Sequence, residues 1–239
     1  MAKDALALIE HLHWHQCHVV GISMGGMIAL ELALLAPHKL LSLSLLATHA
    51  GGLAGRAPFV GIHHLLRSCL IRDDHSQVEN NLEMLYSRKT LSDPHKRKYF
   101  YDYHSRRVKN CIPPTIVGII GQIFAVQRHY ISYSDLLKIR YSPIITLVVV
   151  GTEDRLVRET NSYMLQRLEH AGHGLSRECA EEVNRALLDL FESVKAGHSS
   201  SSVKSKDNYR IQYETEVEAL EYCCQHRTHC FIHNVVGFL

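Results

Sequence analysis

The chain opens with Ala5, Leu6, Ile9 and Leu12 spaced along one stripe, which predicts a short amphipathic helix over residues 2–13. His18-Val19-Val20 then reads as a brief buried strand. The apolar run from Ile28 to Ala36 predicts a helix that stops near Pro37, whose ring cannot continue it. Leu40 to Ala47, a run of leucines and serines, reads as a second buried strand. Strand, helix and strand with short links form the parallel βαβ pattern.

From Gly51 to about Leu137 the pattern changes. Basic, tyrosine-rich helical stretches such as HKRKYFYDYHSRRVKN (95–110) precede an apolar segment that is broken by Pro113-Pro114. This region is expected to be an inserted helical cap. Ser142 to Val150 (SPIITLVVV) is nearly continuous and β-branched, as a parallel strand buried on both faces should be. GTEDRLV follows as a loop, and residues 158–169 are expected to form a helix with no room for a further strand. Val183, Ala186, Leu187, Leu190 and Phe191 recur at helical spacing within a closing helix from Glu178 to Val194. After Gly197 the run SSSSVKSK reads as a flexible linker, followed by a Cys/His-rich tail. The predicted organisation is 1–50 as the N-terminal part of a core and 51–137 as the cap. Residues 138–195 form the C-terminal part of the core, and 196–239 a linker with a poorly ordered tail.

Composition narrows the function. The formal net charge of +2 creates no global field that would draw nucleic acid or an anionic membrane. The cations and tyrosines at 95–110 therefore read as the solvated face of a cap helix, with no nucleic-acid partner expected. No window of 18 apolar residues exists, so no membrane span is expected. The N-terminus carries Lys3, Asp4 and Glu10 and lacks a signal-peptide core, which favours a cytoplasmic location. Seven cysteines without a scaffold rhythm fit a reducing compartment. The crowd His11, His13, His15, Cys17 and His18 does not hold one helical face and reads as surface loop. The tail offers Cys223, Cys224, His226, His229, Cys230 and His233, ligand types that zinc favours. All lie on one short segment, whereas a structural zinc site closes around two, so no metal site is assigned.

Candidate chemistry centres on Gly21-Ile22-Ser23-Met24-Gly25, between a predicted strand and a predicted helix. A serine held on so sharp a turn strains the backbone, and side chains at Gly21, Gly25 or Gly26 would meet the adjoining strand or helix. The turn exposes the hydroxyl and points the helix N-terminus at developing negative charge. The plainer reading is a glycine-rich turn with an incidental serine. Such a nucleophile needs a base, and the base an acid to orient it. Asp154 lies just past the strong strand, and His173 sits between glycines just before a helix. Either could instead be a simple turn residue. Glu153 is the poorer acid because it would point differently.

GISMGGMIALELALLAP, THAGG, VVVGTEDRLV and AGHGLSRECAEEV together resemble the α/β-hydrolase superfamily, especially its small soluble esterase-like and carbon–carbon-hydrolase-like members. The resemblance covers roughly residues 2–195. It implies an α/β fold with a mostly parallel sheet and a helical cap. It implies Ser23 as nucleophile, His173 as general base, Asp154 as orienting acid and the Met24 backbone N–H as an oxyanion donor. It also implies no metal or organic cofactor, and hydrolysis of an ester or related acyl or C–C bond in a small lipophilic substrate. Two departures set further expectations. Only 20 residues precede Gly21, so the strands and second oxyanion donor that the family places there are missing. The elbow strand should then be an exposed edge open to self-association. The 19 positions from Asp154 to His173 leave no strand before the histidine, which should fall short of Ser23. On those grounds the alternative is a truncated, inactive hydrolase-like protein with a binding role or no independent function.

Overall fold

The computed structural model describes residues 1–52, 55, 57–110, 115–158, 166–196 and 230–234. Strands β1 (Cys17–Ile22) and β2 (Leu40–Leu46) lie in the middle of a five-stranded sheet. β3 (Ile145–Gly151) and then β4 (Gln166–Leu168) extend it beyond β2, and β5 (Cys230–Asn234) pairs with the other side of β1. All four pairings are parallel, with Val19 opposite Leu43 and Leu43 opposite Thr146.

Helices cover both faces, and this explains why the central strands read as apolar runs. On one face α1 (Ala2–His11), α2 (Met24–Leu35) and α8 (Tyr133–Arg140) bury Ile9, Leu32 and Ile139 against Val19 and Leu43. On the other, α10 (Ala180–Lys195) seats Leu187 and Phe191 on Val20, Leu46 and Val149. Between β2 and β3 run α3 (Phe59–Leu70), α4 (Asp74–Leu85), α5 (Arg88–Ser92), α6 (Pro94–Asn110) and α7 (Ile116–Arg128). Their own core joins Val78, Leu82, Tyr86 and Phe100 to Leu156 of the loop after β3. Tyr86 stacks on Phe100 with ring centroids 4.0 Å apart. Side-chain caps start α4 and α5: Asp73 accepts the Ser76 N–H at 2.8 Å, and the Ser87 hydroxyl accepts the Thr90 N–H at 3.1 Å.

The βαβ unit follows the sequence pattern, although α2 starts at Met24, earlier than expected, because the turn at Ser23 launches it directly. The closing helix is split: a one-turn helix α9 (Leu175–Glu178) ends at Cys179, whose backbone (φ −125°, ψ 47°) leaves the helical region before α10 begins. β3 is buried on both faces only at its end. Thr146 is exposed because, among the described residues, β4 pairs only with Val149, Val150 and Gly151.

Three expectations are corrected. Residues 166–168 are strand, not helix, so a strand does precede His173; residues 159–165 lie outside the described residues. The outer side of β1 is not open, because five residues of the expected disordered tail pair with it from His18–Cys230 to Ile22–Asn234. Of the candidate zinc ligands, Cys223, Cys224, His226 and His229 lie outside the described residues, as does the linker; Cys230 and His233 lie in β5. Finally, Cys17 and His18 are not surface loop. Both are buried in β1, with His18 Nδ1 2.7 Å from Ser42 Oγ. Burial, aided by the Lys195 charge, pushes the His18 pKa down to about 4. Among the described residues no helix is long and apolar enough to cross a membrane.

Candidate active site

Ser23 sits at the carboxyl end of β1 with φ 53° and ψ −121°, a conformation costly for any residue with a Cβ. The surroundings enforce it. The Ser23 N–H donates to Leu46 O at 2.9 Å, and Thr48 Oγ1 donates to Ser23 O at 2.7 Å. A Cβ on Gly21 would lie 2.5 Å from Gly25 O, and one on Gly26 would lie 2.5 Å from Thr48 Cγ2. The glycines are thus demanded by the crossing of strand, helix and the loop after β2. Met24 is the first residue of α2, where a helix leaves its amides without internal partners.

His173 Nε2 lies 2.9 Å from Ser23 Oγ, and His173 Nδ1 lies 2.8 Å from Asp154 Oδ2. The side chains of His173 and Asp154 are each 1% exposed, so this hydrogen-bonded pair lies away from bulk water. Asp154 Oδ1 accepts the N–H groups of Leu156 at 2.8 Å and Val157 at 2.9 Å, which fixes the carboxylate before it meets the imidazole. Sequence spacing had placed His173 out of reach of Ser23; the distance shows otherwise. The reason is local. β4 needs only three residues beside β3, and its exit lies next to the Asp154 loop, where Glu153 N–H donates to Ala171 O at 2.8 Å.

The glycines around His173 serve close approach. A Cβ on Gly172 would lie 2.5 Å from Leu85 O, and Gly174 N–H donates to the same carbonyl at 2.7 Å. Glu153 is turned away from the relay, with Oε1 3.1 Å from His170 Nδ1 and Oε2 accepting the Arg88 N–H at 3.0 Å.

Three supporting residues escaped the sequence reading. Glu178 Oε2 accepts the Gly172 N–H at 2.6 Å, while its Oε1 accepts the Ser87 N–H at 2.9 Å and the Ser87 hydroxyl. It therefore ties the histidine loop to the junction of α4 and α5. Thr48 locks the elbow, and His49 is buried behind it with Nδ1 accepting the Gly51 N–H at 2.9 Å. In the neutral ring, that bond leaves the proton on Nε2. Burial, reinforced by His129 and His173, pushes the His49 pKa down to about 4, although Asp154 opposes the shift. THAGG was the available signal, since two polar residues there directly follow a buried strand.

A sequence model for the alpha/beta hydrolase fold matches residues 1–201, and the chain belongs to that family. Its members' chemistry supports a hydrolase function on small substrates. Among curated relatives, a Variovorax paradoxus (strain S110) protein described as a carbamate hydrolase, RutD, is 27% identical over 208 residues, covering 82% of this chain and 73% of that protein. The dihydrolipoyllysine-residue acetyltransferase component of the acetoin cleaving system from Pseudomonas putida is 43% identical over 199 residues. That match covers 79% of this chain and 49% of the relative, so the chain spans about half of its length. Among solved structures, a Mycobacterium tuberculosis H37Rv protein described as a non-heme bromoperoxidase, BpoC, superposes with a TM-score of 0.65 at 28% identity, covering 81% of this chain and 73% of that one.

Proposed function

We propose that the chain is a serine hydrolase that cleaves an ester or related acyl or C–C bond of a small apolar substrate, with Ser23, His173 and Asp154 as its triad. The observation that carries this reading is the continuous hydrogen-bonded relay from Ser23 Oγ through both His173 nitrogens to a doubly anchored Asp154. Ser23 Oγ attacks the substrate carbonyl carbon while His173 Nε2 takes its proton. Asp154 holds the ring in the tautomer that leaves Nε2 free to accept, and it stabilises the imidazolium that forms. The Met24 N–H, at the positive end of α2, faces the oxyanion. His173 then returns the proton to the leaving group, and a water deprotonated by the same nitrogen releases the acyl group.

The helices of residues 51–137 act as the cap that shapes the pocket. The apolar stretch of α7 favours a lipophilic substrate: Val117 is 81% and Phe124 59% exposed, so an apolar face is available there. The resemblance to a protein described as a carbamate hydrolase adds carbamates to the acyl substrates worth assaying. The test is turnover of short-chain p-nitrophenyl esters by wild type and variants. His173→Ala is expected to lose a factor of about 10⁶ in kcat, and Asp154→Asn about 10⁴. Equal turnover in wild type and His173→Ala would refute the assignment.

A further inference from the structure

A cleft of about 520 Å³ lies where α3, α4, α5 and α6 meet the loop after β3. Arg88, Arg97 and Arg155 line it, from α5, α6 and that loop, and Glu83 is the one carboxylate among its described lining residues. The carboxylate is already engaged, 3.4 Å from Arg67, and Arg97 is bonded to Glu79. Arg88 and Arg155 form no ion pair within 4.0 Å among the described residues. Glu153 lies close enough to Arg155 to interact with it electrostatically, but both of its oxygens are occupied by His170 and the Arg88 N–H.

Two parts of the wall are fixed in place. A Cβ on Gly61 would come within 2.2 Å of Arg155 O, so the backbone of α3 lies directly on the arginine loop. Buried His64, also in the lining, is fixed by Asn80, with Nδ1 2.9 Å from Oδ1 and the Asn80 amide donating to His64 O at 3.0 Å. Guanidinium forks match the paired oxygens of phosphate and carboxylate groups.

We propose that this cleft is a binding site for a small molecule bearing a phosphate or carboxylate group, held chiefly by Arg88 and Arg155. None of its lining residues belongs to the Ser23–His173–Asp154 relay, so the proposal stands apart from the hydrolase reading. An occupant would nevertheless touch the residue that follows Asp154 and thereby join α5 to the acid loop.

Isothermal titration of the full chain at low salt with inorganic pyrophosphate, and separately with glutarate, tests the assignment. Wild type and Arg140→Ala, a control on exposed α8 surface outside the cleft, should bind at least one anion saturably and with equal affinity. Arg88→Ala/Arg155→Ala should weaken that binding by at least about tenfold, since hydrogen bonds to two charged groups are lost. Binding of pyrophosphate alone identifies the phosphate class, and of glutarate alone the carboxylate class. If the double variant does not fold, Arg88→Ala at its exposed position supplies the same comparison. No saturable binding of either anion, or equal affinity in the cleft variants and wild type, would overturn the proposal.

Discussion

At the scale of single residues, the site depends on side chains whose value comes from what they hold. Glu178 accepts bonds from Gly172 and Ser87, so Glu178→Ala leaves buried donors unmatched at about 1–3 kcal/mol for each group. Urea denaturation should show that loss, and turnover should fall as the His173 loop loosens; unchanged stability and turnover would contradict this role. The buried histidines set a pH limit. The His18 and His104 pKa values are both pushed down to about 4, by burial first and then by nearby cations. An unfolded histidine titrates near 6.5, so the folded state resists a proton that the unfolded chain accepts. The stability they contribute is present above pH 6.5 and is lost as pH falls toward 4, by up to about 1.4 kcal/mol per pH unit for each. A His18→Gln variant should show a shallower loss in denaturation series from pH 7 to 5; an identical slope would rule His18 out as a source. The sequence announces Ser23, Asp154 and His173 because each sits at a corner marked by glycine or by the end of a strong strand. Glu178 was illegible because its partner Ser87 lies 91 positions away.

Among elements, the two short strands decide most. β4 has three residues, Gln-Arg-Leu, with no β-branched or alternating signal, yet its position beside β3 is what brings His173 to Asp154. β5 was equally hidden, since its partner β1 lies more than 200 positions away and its sequence stands in a Cys/His-rich run. The largely apolar stretches that form β1, β2 and β3 were legible because burial between two helical layers leaves little room for polar residues. Removing residues 197–239 exposes the outer backbone groups of β1, a template for pairing with another chain. The shortened protein should self-associate with rising concentration in sedimentation experiments, whereas the full chain should not do so through this edge. A shortened chain that stays monomeric and equally stable would show that β5 contributes little to the sheet.

For the whole molecule, the sheet and the helices between β2 and β3 act on the site together. The sheet supplies the corners that carry Ser23 and Asp154, while Leu85, Tyr86 and Ser87 at the junction of α4 and α5 brace the His173 loop from the other side. Their meeting surface is tight enough that Gly172→Ala should cost about 1–3 kcal/mol in thermal or urea unfolding, because its Cβ would meet Leu85 O. No loss would show that the loop and α4 separate easily.

The proposed hydrolysis stands or falls with Ser23 as an activated nucleophile. The most direct measurement is labelling of the folded protein by a fluorophosphonate, with Ser23→Ala and His173→Ala alongside and the modified residue located by mass spectrometry. Wild type should be labelled on Ser23, and neither variant should be labelled at a comparable rate. A folded wild-type protein that takes up no label, or one labelled equally well in His173→Ala, would contradict it.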